Sequence, residues 1–72
     1  MDYRDYITRD PQIRFGKAII KGTRIAVVDI LGYMAGGDSV EVLLVEFPQL
    51  TKDQILACLA YAADREAMVE IA

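Results

Sequence analysis

The side chains best placed to do chemistry are basic. Arg14, Lys17, Lys21 and Arg24 follow one another closely, in a stretch that also holds Gly16 and Gly22. Spaced in this way on a projecting turn, they could touch phosphates. Lys52 and Gln54 suit a different contact, because lysine and glutamine at the start of a helix can reach base edges as well as phosphates. These six are the candidate DNA-binding residues. The same bases would serve equally well to neutralise acids elsewhere in the chain, and Arg24 has a structural alternative in pairing with Asp29. Catalysis has little to draw on. There is no histidine to act as a general base near neutral pH. The single cysteine, Cys58, falls on an apolar helix face, and Ser39, the sole serine, has the chemistry of a helix cap. No cluster has metal-ligand spacing, so no cofactor is expected. Gly16 to Thr23 is not a phosphate loop, since Gly22 is followed by Thr23 and Arg24 where that loop needs lysine and a hydroxyl.

The elements that must position these residues can be read from the flanking sequence. Tyr6-Ile7-Thr8 has β character and stops at Asp10-Pro11. Ile13-Arg14-Phe15 alternates apolar and polar, and Gly16-Lys17 suits a two-residue type II′ hairpin loop. That register sets Phe15 opposite Ala18 and Ile13 opposite Ile20. Lys21-Gly22 makes a second turn, where glycine supplies a backbone conformation a Cβ would resist. The run Ile25, Val28, Leu31, flanked by Ile30 and Met34, predicts a helix over 27–35, ended by Gly36-Gly37. Ser39 can cap a short helix over 39–46, with Asp38 and Glu41 as an alternative capping box, and Phe47-Pro48 stops it. Thr51 and Gln54 form a capping box, and Leu50 and Ile55 a hydrophobic staple, for a long helix over 51–70. Its apolar face holds Ile55, Cys58, Leu59 and Ala62. The second and third helices, joined by Phe47 to Leu50, make a helix-turn-helix candidate.

Charge and hydropathy bear on partners. The chain has 72 residues, is 54% apolar and carries a net charge of −3. One domain, 1–72, is expected, with a β-hairpin half over 1–26 and a three-helix half over 27–72. The first half has six bases and three acids, net +3; the second has two bases and eight acids, net −6. Polarity at the start and the absence of a long apolar run argue against a secretory leader or membrane span and for a cytoplasmic protein. So much apolar sequence in so short a chain favours a homodimer. Val40 to Phe47 is apolar almost all round, which suits either a tight three-helix core or a partner surface. Val42 and Val45, with Glu66, Met68, Val69, Glu70 and Ile71 toward the end of the long helix, are the candidate interface residues.

Gly16-Lys17-Ala18-Ile19-Ile20-Lys21-Gly22-Thr23-Arg24-Ile25, together with Pro48-Gln49-Leu50-Thr51 and Ile55, Leu59 and Tyr61, resembles the family catalogued as domain of unknown function 433. The family's signature reads G-K-P-x-I-x-G-T-R-I, so Ala18 stands at its usual proline. Cys58 stands at its usual alanine, and Val42 and Val45 at positions more often polar. The resemblance spans nearly the whole chain. It implies a mainly α fold, a short β element before a three-helix, helix-turn-helix-like (winged-helix-like) domain. It also implies an antitoxin-like, DNA-binding transcription regulator from a prokaryotic toxin–antitoxin system, partnered by a PIN-like ribonuclease toxin and acting on a double-stranded operator. Some family members carry a C-terminal extension of which this chain has little or none. The alternative is a homodimeric interaction module without DNA binding.

Overall fold

The structure, a computed structural model, describes residues 1–71 and the side chains of residues 1–68. A 3-10 turn at Tyr3–Asp5 leads into strand β1 (Ile7–Arg9), which pairs antiparallel with β2 (Ala18–Ile20). Three helices follow: α1 (Val27–Ala35), α2 (Val40–Glu46) and α3 (Lys52–Ile71). The fold is therefore mainly helical, a two-stranded hairpin followed by three helices.

The hairpin does not have the register read from sequence. Ile20 pairs with Ile7, Ile19 with Thr8 and Ala18 with Arg9. Ile13-Arg14-Phe15 is not a strand, and Gly16-Lys17 is not a two-residue loop. Residues 10–17 instead form one long connection that ends in a left-handed turn, with φ of 52° at Arg14, 59° at Phe15 and 78° at Gly16. Three alternating residues are too few to define a strand once Asp10-Pro11 has already turned the chain. The Asp10 carboxylate accepts from the Gln12 amide at 2.9 Å and its carbonyl from the Ile13 amide at 3.0 Å, which closes that turn locally. Phe15, expected to face Ala18, is 97% exposed.

The second turn behaves as its residues dictate. Gly22 takes φ of 78°. The Thr23 hydroxyl donates to the Ile20 carbonyl at 2.8 Å and accepts from the Ile25 amide at 3.0 Å. Chain direction reverses there, and a β-bridge joins Ile19 to Ala26. All three residues of β2 are buried, so this strand forms the floor on which the helices pack.

Helix ends follow the caps. The Ser39 hydroxyl accepts from the Val42 amide at 3.2 Å. Thr51 and Gln54 make the reciprocal box, with the Gln54 amide donating to Thr51 Oγ1 at 3.2 Å and the Thr51 amide to Gln54 Oε1 at 2.7 Å. The N-cap of α1, Ala26, has no side-chain acceptor. Its amide donates to the Asp29 carboxylate at 3.1 Å, so half of a capping box is present.

The buried faces of two helices differ in part from those read in sequence. In α1 the core takes Val27 and Ile30, and Val28 is 55% exposed. Of the run read as periodic, Ile25, Leu31 and Met34 are half-buried against the core, and Val28 is the member that turns outward. In α3 the fully buried positions are Ile55, Ala57 and Cys58, whereas Leu59 is 37% exposed. α2 buries only Leu43 completely and leaves Val42 and Val45 exposed. Its apolar excess is therefore not absorbed in a three-helix core. No helix of the described residues is long and apolar enough to cross a membrane.

Candidate interaction site

Arg14 ties the loop over residues 10–17 to the rest of the fold. Arg14 reaches α1 and donates to Asp29 through Nη1 at 2.6 Å and Nη2 at 3.2 Å, and also to the Arg24 carbonyl at 3.0 Å. A forked guanidinium suits a carboxylate in this two-bond geometry. The hydrogen bond from Arg14 holds the Asp29 carboxyl below the usual range, against the opposing effect of burial. The same bond raises the Arg14 guanidinium further. The ion pair considered for Arg24 and Asp29 is thus made by Arg14, and Arg24 contributes its carbonyl.

The candidate DNA-binding residues consequently divide. Lys17, Lys21, Arg24 and Lys52 have exposed side chains, and none is in a salt bridge among the described residues. Arg14 is committed to Asp29 and Gln54 to its capping box. The residue that sequence reasoning missed is Phe15. Its left-handed backbone, a cost of order 1–3 kcal/mol for a non-glycine residue, presents the ring to solvent next to pinned Arg14. A polar flank on an apolar residue looked like strand alternation, and no local signal pointed to the turn.

The N-terminal segment is fastened to α3 around Tyr61. Arg9 Nη2 donates to the Tyr61 hydroxyl at 2.6 Å and Nη1 to the Gly16 carbonyl at 3.0 Å. The Tyr3 and Tyr61 rings meet edge to face, with centroids 5.5 Å apart. The Tyr3 hydroxyl donates to Asp64, which raises the Tyr3 phenol above its usual range. Beside this contact lies an open groove of about 470 Å³ between α1 and the second half of α3. Ala18, Val27, Val28, Leu31, Tyr61 and Ala62 give it an apolar lining, and Arg9, Lys17, Arg65 and Glu66 stand on it as the charged groups.

Among the candidate interface residues, Val42 is 41% exposed, Val45 80% and Met68 59%, and Glu66 is exposed. The side chains of Val69, Glu70 and Ile71 lie outside the described ones. Cys58 is fully buried, and desolvation pushes its thiol up to about 11, so it is held as an inert core group. No group of three His, Cys, Asp or Glu side chains among the described residues is arranged to hold a metal ion.

The profile of the family described as protein of unknown function (DUF433) matches residues 7–62, a span that includes the loop, the Gly22 turn and the groove lining up to Ala62. The chain belongs to the DUF433 family. A crystal structure of a DUF433 member from Anabaena variabilis ATCC 29413 superimposes with a TM-score of 0.83 at 27% identity, over 93% of this chain and 66% of that one. The uncharacterized protein y4eO of Sinorhizobium fredii is 36% identical over 59 residues, which is 82% of this chain and 27% of that protein. The chain thus spans about a quarter of that relative and just under two thirds of the solved DUF433 structure. Within the DUF433 signature, Gly22-Thr23 is a structural turn, and the carbonyl of Arg24 anchors Arg14. The alanine at the signature's proline position, Ala18, is buried on β2 beneath the groove.

Proposed function

We propose that this DUF433 protein is an antitoxin-like, DNA-binding regulator that works as a homodimer and by binding alone, without catalysis. Its protein partner is a PIN-like ribonuclease toxin. The observation that carries the DNA contact is the Arg14–Gly16 turn: a 97% exposed Phe15, held rigid by the Arg14–Asp29 pair, with free Lys17 beside it. A preorganised loop loses little freedom on binding. An apolar ring can wedge between base steps while a neighbouring lysine meets the backbone. The α2–α3 corner supports the same reading, since its capped first turn leaves Lys52 exposed. Net charge sets the division of labour. The helical half is acidic and is repelled by phosphate, so the basic first half supplies most of the affinity and Lys52 a modest base preference. Toward the toxin, the acidic and apolar end of α3, from Glu66 through Met68, Val69, Glu70 and Ile71, would occupy a ribonuclease surface that is positive enough to hold RNA.

The test is a salt series on one DNA site. Lys17→Ala with Lys21→Ala is expected to lower affinity for every sequence and to flatten the slope of log K against log salt by about one unit per lost phosphate contact. Lys52→Ala with Gln54→Ala should mainly blur sequence preference. A protein that binds DNA with affinity and slope untouched by the first pair would leave the bases with charge balance alone. The toxin arm is read by growth: a chain stopped before Ala67 should protect less well against a co-expressed PIN-like ribonuclease, with folding checked by circular dichroism.

A second reading, a homodimeric interaction module without DNA binding, is favoured by the exposed apolar groove. Absence of any salt-dependent DNA binding in a dimeric protein would select it.

A further inference from the structure

Among the described residues, an apolar groove and an apolar helix face carry opposite charges. The first is the groove between α1 and α3. Val28, 55% exposed, and Leu31 form one side, and Tyr61 and Ala62 the other. Arg9 and Lys17 stand on its strand side and Arg65 on its α3 side, where the guanidinium lies 5.6 Å from the Tyr61 ring centre. None of these three cations has a carboxylate partner within 4.0 Å among the described residues. Glu66 is the one acid on the rim, so three positive groups face one negative group.

The second surface is the outer face of α2. At 3.6 residues per turn, Glu41, Val45, Val42 and Glu46 follow one another in that order around the helix. Leu43, at the opposite side, is fully buried. The exposed face is therefore a valine centre with a carboxylate on each flank. That pattern complements the groove, an apolar channel with Arg9 and Lys17 on its strand side and Arg65 on its α3 side. Neither surface is used inside one copy of the chain.

We propose that the groove receives α2 of a second copy, Val42 and Val45 seated against Val28 and Leu31, with Glu41 and Glu46 directed at Arg9 and Arg65, which leaves Lys17 free for the phosphate contact. Each copy carries one groove and one such helix. Reciprocal exchange about a two-fold axis buries both and closes the assembly as a dimer. The valines supply the apolar contact, and the charge pattern fixes the direction in which the helix lies. This inference rests on the homodimer reading above and gives it an interface.

The experiment is a cysteine cross-link. Val28→Cys and Val45→Cys chains, one with a mass tag, are mixed under mild oxidant. An interchain disulfide is expected in the mixture, and neither variant alone should cross-link. Native Cys58 stays silent because it is fully buried. In parallel, Val45→Lys, a change at an 80% exposed position, should keep the helical spectrum and weaken self-association about tenfold or more. Wild-type sedimentation as a monomer across the micromolar range removes both this interface and the homodimer. A dimer that is indifferent to Val45→Lys and yields no mixed cross-link removes this interface only, and leaves the groove to another occupant.

Discussion

Two turns of this chain are built around a glycine at φ of 78°, and they are held in different ways. At Gly22 the restraint is local. The Thr23 hydroxyl bonds residues three before and two after it, so its side-chain restraint lies between Ile20 and Ile25. At Gly16 local bonds, from the Gly16 amide to the Ile13 carbonyl at 3.1 Å and from the Arg9 guanidinium to the Gly16 carbonyl at 3.0 Å, are joined by a remote one. The turn includes two non-glycine residues in the left-handed region, and Arg14, reaching Asp29 fifteen residues on, ties it to α1. A local staple stiffens a corner that the helices then use. A remote clamp ties the loop to α1, so the order of the loop depends on the packed fold. The exposed Phe15 sits on the second kind of turn, which suits a recognition loop supported from beneath.

The difference can be broken most strongly at Asp29. Asp29→Ala removes the clamp and also the acceptor for the Ala26 amide at the start of α1. Loss of such a cap with its hydrogen bonds is worth about 2 kcal/mol. The urea midpoint should fall accordingly, and amide exchange should rise in residues 13–17 while the Gly22 turn stays protected. The pH dependence has a definite sign. The Asp29 carboxyl is held below its ordinary value of 3.8, so its contribution is complete above that pH and is lost as pH falls through the folded value. The stability gap between wild type and Asp29→Ala should therefore close on acidification. A gap that persists unchanged in acid would mean that the carboxylate's charge is not what holds the loop.

A smaller effect is expected from Thr23→Val, which keeps the shape and deletes both hydroxyl bonds. Each such bond is worth about 1 kcal/mol net. The loss should appear in thermal unfolding, and the Arg14–Asp29 pair should survive it, as judged by unchanged exchange in residues 13–17. If both turns loosen together, they form one unit and the contrast drawn between them fails.

The smallest effect is at Phe15. Phe15→Gly relieves the left-handed backbone at φ of 59° but adds freedom to the unfolded chain. The two nearly offset, and stability should rise by about 0.5 kcal/mol or stay level. On the DNA-binding proposal, affinity for DNA should fall all the same. A variant that is destabilised instead would show that the ring, despite its exposure, is part of the fold.

Legibility in the sequence followed the range of the interaction. The bounds of α1, the Ser39 cap and the Thr51–Gln54 box could be read because each is a matter of residues three or four apart. The Gly22 turn was readable for the same reason. The hairpin register was not, since Ile13-Arg14-Phe15 imitates a strand and the true partner of Ile20 is Ile7, beyond a turn that Asp10-Pro11 begins. Helix orientation was only partly readable. In α1 an apolar stripe could be drawn through Val28 or through Val27 and Ile30, and only the position of β2 chooses between them.

By itself, then, the sequence determined where helices start and stop, and that Cys58 lies on the inward face of the last one. It also set the opposition of a basic first half and an acidic second half. Those follow from backbone capping, from helical period and from formal charge, none of which needs a distant neighbour. Tertiary structure decided which bases remain available. Arg14 and Arg24 are alike in a linear reading, yet the fold spends the Arg14 guanidinium on Asp29 and leaves that of Arg24 exposed. It also decided that Val42 and Val45 face solvent, because α2 turns Leu43, with Val40 and Leu44 half-buried beside it, toward the core. A side chain's partner is fixed by distance in space, and the fold brings Arg14 and Asp29, fifteen positions apart, within hydrogen-bond reach.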